Sequence, residues 1–195
     1  MTGTWWTDHV LVTITYVQQT SPADLKPAKE PAEEAEVVRA VDPSPEFHYF
    51  LYTAVGGDWH WTTRRDWTRQ QWHEWITVPG QQTWVLWVRG NPAGYAVLTP
   101  REGDVEIENF GLMPQFIGRG LGGHFLTEVL RRAWEIPGTT RVWLHTCSLD
   151  GPHALANYQA RGLEPYHVED DTSPDKGDEP TPGTWLGLTE PPSPA

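Results

Sequence analysis

Residues 118–123 read Gly-Arg-Gly-Leu-Gly-Gly, and a helix pattern starts inside them. Leu121, Phe125, Val129 and Ala133 recur every fourth residue, with Leu126, Leu130 and Trp134 on the adjacent row. This is the apolar face of an amphipathic helix. Arg131 and Arg132 fall near its expected end, and Pro137-Gly138 stops it. A helix that opens on glycines bares several backbone N–H groups at the positive end of its dipole, which suits a pyrophosphate. Upstream, residues 104–113 alternate and predict a strand, with a short proline loop at 114–117. The glycines satisfy G-x-G-x-x-G, but a dinucleotide fingerprint needs its first glycine at the strand end and a second mononucleotide half, for which too little chain follows. A P-loop needs Lys-Ser/Thr after its glycines, and none is present.

The rest of the chain reads as an α/β domain. Residues 8–17 are alternating and β-branched and predict a first strand. Residues 21–46 hold five prolines, seven acids and three bases, and predict an acidic, mostly irregular connection with a short strand at 36–41. Residues 45–55 predict a helix opened by proline and stopped at Gly56-Gly57. Thr68 with Gln71 predicts a capping box for a second helix, after the aromatic and basic loop 58–67. Two apolar runs around Arg-Gly-Asn-Pro-Ala-Gly predict a hairpin over 83–100. Residues 141–147 predict a central strand, 152–162 a short helix closed by Gly162, and 163–169 a last strand. A further strand at Thr184–Leu188 would complete the sheet. We expect one domain over residues 1–170 and an acidic, proline-rich tail over 171–195.

Composition excludes several classes. The net charge is −12, of which residues 21–46 carry −4 and residues 169–183 carry −5, leaving −3 for the remainder. A nucleic-acid partner, which requires a basic face, is not expected. No apolar window approaches eighteen residues, so no membrane span is expected, and the N-terminus lacks the features of a signal peptide. The single cysteine, Cys147, allows no intramolecular disulfide and fits a cytoplasmic, reducing compartment. The histidines show no ligand spacing, so no metal site is expected. Cys147 reads as a small core residue, His145 as a hydrogen-bonded core histidine.

On two spaced motifs the sequence resembles the GNAT superfamily of acyl-CoA-dependent N-acyltransferases, most clearly over residues 84–168. The first is Q/R-x-x-G-x-G/A at the start of the helix after the fourth strand, aligned on 117–122 with Ile117 where Gln or Arg is usual. The second resembles A-x-x-x-Y-x-x-x-G-F, filled by Ala154, Tyr158, Gly162 and Leu163, with Gly151 where an asparagine is usual. The resemblance implies a GNAT-type mixed central sheet flanked by helices, with acetyl-CoA as co-substrate and no metal. It implies pyrophosphate binding at Gly118, Arg119, Gly120, Leu121, Gly122 and Gly123, and pantetheine pairing with the main chain of Phe110, Leu112 and Met113. It points to Glu106 first and Glu108 second as the base that deprotonates the amine, and to Tyr158 as the acid for the departing thiolate. Strand alternation would put Glu106, Glu108 and Phe110 on one face. Trp59, His60, Trp61, Arg64 and Arg65 fall where the family builds its acceptor pocket. The expected acceptor is a small-molecule amine; protein or peptide acetylation and a non-catalytic acyl-CoA-binding module are the alternatives, and a homodimer is compatible with the sequence.

Overall fold

Residues 93–99 are buried without a break, as in a strand covered on both faces. They belong to β4 (Asn91–Arg101), which forms a hairpin with β3 (Gln82–Val88). The connection is tighter than the sequence suggests: only Arg89 and Gly90 lie between the strands, both at positive φ, as a two-residue hairpin demands. Pro92 is tolerated because the register shifts beside it, between Leu86 and Trp87.

The computed structural model describes residues 9–59 and 61–174. Its other strands are β1 (His9–Gln19), β2 (Ala35–Ala40), β5 (Asp104–Leu112), β6 (Arg141–Cys147) and β7 (Glu164–Pro174). The helices are α1 (Pro45–Gly56), α2 (Arg69–Ile76), α3 (Leu121–Trp134) and α4 (Ala154–Ala160). Ser44 caps α1, its hydroxyl accepting from Phe47 N at 3.1 Å, and the Thr68/Gln71 capping box opens α2. The seven strands form one mixed sheet in the order β2-β3-β4-β5-β6-β1-β7. All neighbours run antiparallel except β5 and β6.

The first strand is not at an edge. β1 lies between β6 and β7, with Ile14 opposite Cys147 on one side and Glu169 on the other. β7 runs on through Pro174, past residue 170, and pairs there with His9. The expected strand at 184–188 lies outside the described residues.

Helices α1 and α2 cover one face of the β2–β5 half. Val55 of α1 comes so close to Gly111 that a Cβ there would lie 2.5 Å from it. Helix α3 covers the opposite face: Phe110 stacks on Phe125, and the Arg132 guanidinium lies over Trp84. The β6-β1-β7 half is covered on the α3 side alone. Val142, Leu144 and Thr146 are buried, whereas His145 between them is exposed.

The acidic connection is a strap across α3 and α4. Lys26 N donates to Arg161 O at 3.1 Å, and Ala28 N to Thr127 Oγ1 at 3.0 Å. Glu30 lies 3.2 Å from His124, and Glu33 pairs with Arg119.

Candidate active site

The two central strands part company early. The β5–β6 ladder covers only Asp104, Glu106 and the residue between, opposite Arg141, Val142 and Trp143. Beyond it, β5 stays with β4 and β6 stays with β1. The wedge between them is a cleft of about 1000 Å³. Its walls are residues 106–112 of β5, parts of β6 and the loop after it, and the aromatic loop before α2. Trp59 closes over the wedge from the β5 side: its ring lies 3.4 Å from where a Cβ on Gly151 would stand, across the gap.

One irregularity sets which side chains enter. Val97 pairs with Asn109 but Leu98 pairs with Ile107, so Glu108 is an extra residue in β5, a β-bulge. Strict alternation is broken there. Glu108 points to the α2 side, where its Oε1 accepts from Arg64 and from Trp75 Nε1 (3.0 Å) and its Oε2 from Thr99 Oγ1 (2.8 Å). Phe110 points to the opposite face, against Phe125 and Tyr158. The expectation that Glu106, Glu108 and Phe110 share a face therefore fails at the bulge.

The two carboxylates have different surroundings. Three donors fill Glu108, and its partner Arg64 stacks over Trp67 and Trp75. Glu106 is buried at the vertex of the wedge, where its Oε2 accepts from Arg101 Nε at 2.9 Å. Among the described residues no donor takes its other oxygen. Tyr158 lines the opposite wall, and burial, reinforced by the nearby Asp150 carboxylate and the Cys147 thiol, pushes its phenol well up. The hydroxyl therefore keeps its proton at neutral pH. Cys147, expected in the core, is half-buried and lines the cleft; burial and Asp150 raise its thiol. That favours the neutral form over a nucleophilic thiolate. His145, also expected inside, is exposed at the cleft edge and packs against Tyr16.

The glycine loop delivers what its sequence promises. Gly118 and Gly120 have φ of 80° and 78°, conformations that penalise a side chain, and Gly120 is the N-cap of α3 with no side-chain cap bond. These two strained positions fix the motif's register. They correspond to the glycines of Q-x-x-G-x-G, which puts Gln115 at its first position and corrects the alignment on Ile117. Gly118 and Gly122 line the cleft, whereas Gly120, Gly123 and Arg119 line a second cavity of about 610 Å³ under the strap. Leu121 is buried core.

Several expected contacts change. Arg119 is held by Glu33, lies over Phe116, and does not line the cleft. Met113 does not line it either: its N–H donates to Ala93 O at 2.8 Å and its carbonyl accepts from Phe116 N. Phe110 and Leu112 do line it, as do Trp59, Trp61 and Arg64. Arg65 staples its own loop, donating to Trp61 O and Gly57 O. His60 lies outside the described residues. Sequence reasoning missed Asn109, Asp150 and Asp171, which all line the cleft; only the bulge brings Asn109 there, and no sequence signal marks it. Among the described residues there is no group of three His, Cys, Asp or Glu able to hold a metal, and no helix long and apolar enough to cross a membrane.

Comparison with known proteins agrees with this geometry. The acetyltransferase (GNAT) family profile matches residues 44–163, more than half of the chain. The fold is similar to a GCN5-related N-acetyltransferase from Sphaerobacter thermophilus (TM-score 0.65, 16% identity) and to another from Kribbella flavida (TM-score 0.61, 21% identity). It is also similar to a conserved protein from Staphylococcus epidermidis (TM-score 0.63, 14% identity). Each alignment covers 84% of this chain but only 53%, 58% and 62%, respectively, of the other. No curated protein matches the chain. Strands β1 and β7 lie outside the matched residues yet complete the sheet. With the parted strands, the glycine-opened helix and the family match all in agreement, the chain belongs to the GNAT family of acetyltransferases.

Proposed function

We propose that the chain transfers an acetyl group from acetyl-CoA to a primary amine, directly and with both substrates bound. The observation that carries this reading is that one wedge is lined by Gly118 and Gly122 at the start of α3, by Glu106 at its vertex and by Tyr158. The N–H groups of 118–123 would hold the pyrophosphate. The main chain of Phe110 and Leu112 would run beside the pantetheine. The bulge at Glu108 leaves backbone out of the ladder, where an N–H would polarise the thioester carbonyl. Glu106 would take the proton that the amine must lose, the nitrogen would attack the thioester carbon, and Tyr158 would protonate the departing sulfur. Trp59 and Trp61 would limit water in the site.

The supporting experiment is a panel of amines with acetyl-CoA, following free thiol, with coenzyme A binding measured by calorimetry. Amine-dependent thiol release with a mass gain of one acetyl group on the amine is the expected result. Binding without turnover on any amine would leave a non-catalytic acyl-CoA-binding module. The uncovered face of β6-β1-β7, with Tyr16, Trp143 and His145 beside the cleft, is the one observation that favours a peptide acceptor, so the panel includes peptide N-termini and lysyl peptides.

A further inference from the structure

Asn109 is 6% exposed and lines the cleft, and its Oδ1 has no hydrogen-bond partner among the described residues. A buried amide oxygen without a donor is costly, so it points to a ligand that brings one. The terminal torsion of asparagine is soft, and a small turn presents the oxygen to the cleft.

The register of β5 decides which substrate meets it. Asn109 pairs with Val97 and Glu106 with Thr99, two residues apart on β4, so both side chains leave one face of the sheet. Gly111, two residues beyond Asn109, identifies that face: a Cβ there would lie 2.5 Å from Val55 of α1 and 3.9 Å from the Trp61 ring. It is the face of the aromatic loop, whereas Phe110 and Tyr158 meet on the other. Between Glu106 and Asn109, the bulged Glu108 is taken up by Arg64, Trp75 and Thr99. A nitrogen placed for Glu106 therefore has Asn109 as the next open polar group along β5, while the sulfur would leave toward Tyr158.

Resting on the acetyl-transfer reading above, we propose that Asn109 selects primary amines, its Oδ1 accepting the N–H that the attacking nitrogen keeps. A neutral primary amine carries two N–H bonds. As the C–N bond forms and the C–S bond breaks, one proton passes to Glu106 and the thiolate takes the proton of Tyr158. The second N–H stays, bonded to Asn109, and becomes the N–H of the product amide. That bond fixes the direction of the nitrogen lone pair, and such positioning raises a rate. A secondary amine or an alcohol has a single hydrogen to give. Once it goes to Glu106, an alkyl group or a lone pair faces the amide oxygen, and the cost of the unmet acceptor returns. A site built to bond a substrate N–H rejects the analogue that lacks it.

The test uses the full chain with saturating acetyl-CoA. The probes are benzylamine, N-methylbenzylamine and benzyl alcohol, which share a skeleton suited to aromatic walls and carry two N–H, one N–H and one O–H. The last two are read as acceptors or, where they do not react, as competitors of the primary amine. Any primary amine of the panel that reacts faster is run with its own N-methyl and hydroxyl counterparts. The primary amine should lead in kcat/KM. Asn109→Leu should lower its kcat/KM by about tenfold or more and leave the constants of the other two nearly unchanged, so that the preference narrows. Coenzyme A affinity should stay and Tm should not fall, because no hydrogen bond of the fold is lost. Asn109→Ala, which adds no bulk, should repeat the pattern. Unchanged primary-amine kinetics would overturn the proposal. So would equal losses for all three probes, or losses that come with weaker coenzyme A binding, since these mark a structural role. Those results leave acetyl transfer intact. If coenzyme A binds but no amine reacts, the reading of acetyl transfer falls and this inference with it.

Discussion

Strand β4 buries seven residues in a row, while β6 alternates buried and open positions and β7 is exposed along residues 164–171. The two halves of one sheet are thus built differently. The β2–β5 half is a filled sandwich, with α1 and α2 on one face and α3 on the other. The β6-β1-β7 half has helices on one face only, and its other face carries Trp143, His145 and Tyr166, each in contact with the ring of Tyr16. The halves touch along three residue pairs and then separate. A rigid half and a one-sided half can hold a wedge open between them, and the chemistry gathers along the opening.

The largest effects are expected at the seam. Glu106→Gln should lower kcat by about 10²–10⁴-fold, most where the amine is protonated, with partial recovery as pH rises. Tyr158→Phe keeps the ring against Phe110 but deletes the donor, so kcat should fall over a similar range while coenzyme A still binds. Wild-type turnover in Tyr158→Phe, with chemistry shown to be rate-limiting, would remove its acid role. Glu108→Gln should act differently, loosening the Arg64 loop and raising the amine KM. If Glu108→Gln instead carries the pH-dependent loss, the order of the two carboxylates is reversed.

The contrast between the halves is next. Leu98→Ala, in the filled half and fully buried, should cost about 2–5 kcal/mol in urea unfolding. Val168→Ala, at 56% exposure on the other half, should cost under about 0.5 kcal/mol. Similar costs would show that the second half is packed as firmly as the first.

His48 gives the filled half a pH signature. Burial, with the Arg64 charge nearby, lowers its pKa to about 4, and its Nε2 lies 2.7 Å from Thr83 Oγ1. The unfolded chain binds this proton near pH 6.5 and the folded one only near 4. His48 is neutral in both states above 6.5, so it contributes no slope there; stability should fall as pH drops from 6.5 toward 4, by a total on the order of 3 kcal/mol. His48→Gln should flatten that part of the profile in melts at successive pH values. An unchanged slope would assign the acid sensitivity to other groups.

The smallest effect is expected at the strap. Glu33 pairs with Arg119 beside the start of α3, and phosphates arriving there would compete for that guanidinium. Glu33→Gln should tighten coenzyme A binding by about two- to fivefold, the worth of a partly exposed ion pair. Weaker binding would mean that Glu33 positions Arg119 rather than competes for it.

Much of the architecture was legible because local signals agreed with the final fold. Pro45, Thr68 with Gln71, and the four-residue rhythm from Leu121 each name a helix end or face, and the structure places helices there. The glycine loop was legible for the same reason. What escaped depends on register between distant strands. Nothing within residues 104–112 announces that β4 will skip Glu108, yet that one insertion separates Phe110 from the carboxylates and brings Asn109 to the cleft. The Glu33–Arg119 and Glu108–Arg64 pairs join residues 86 and 44 positions apart. Composition revealed that the connection was acidic, not what its acids would hold.

The place of β1 has a consequence in time. It is the first of the described elements to leave the ribosome, yet both of its ladder partners lie more than a hundred residues downstream, with Ser148 and Asp170 bonded to Thr13 across separations of 135 and 157. No local hairpin can store it meanwhile. Val12 and Val17, buried in the finished sheet, must wait exposed until β6 and β7 have been made. The first and the last of the described strands then zip together, so closure of this arm depends on contacts of very long sequence separation, the kind that slows folding. The arm that shapes one wall of the cleft is therefore the arm that the chain assembles last.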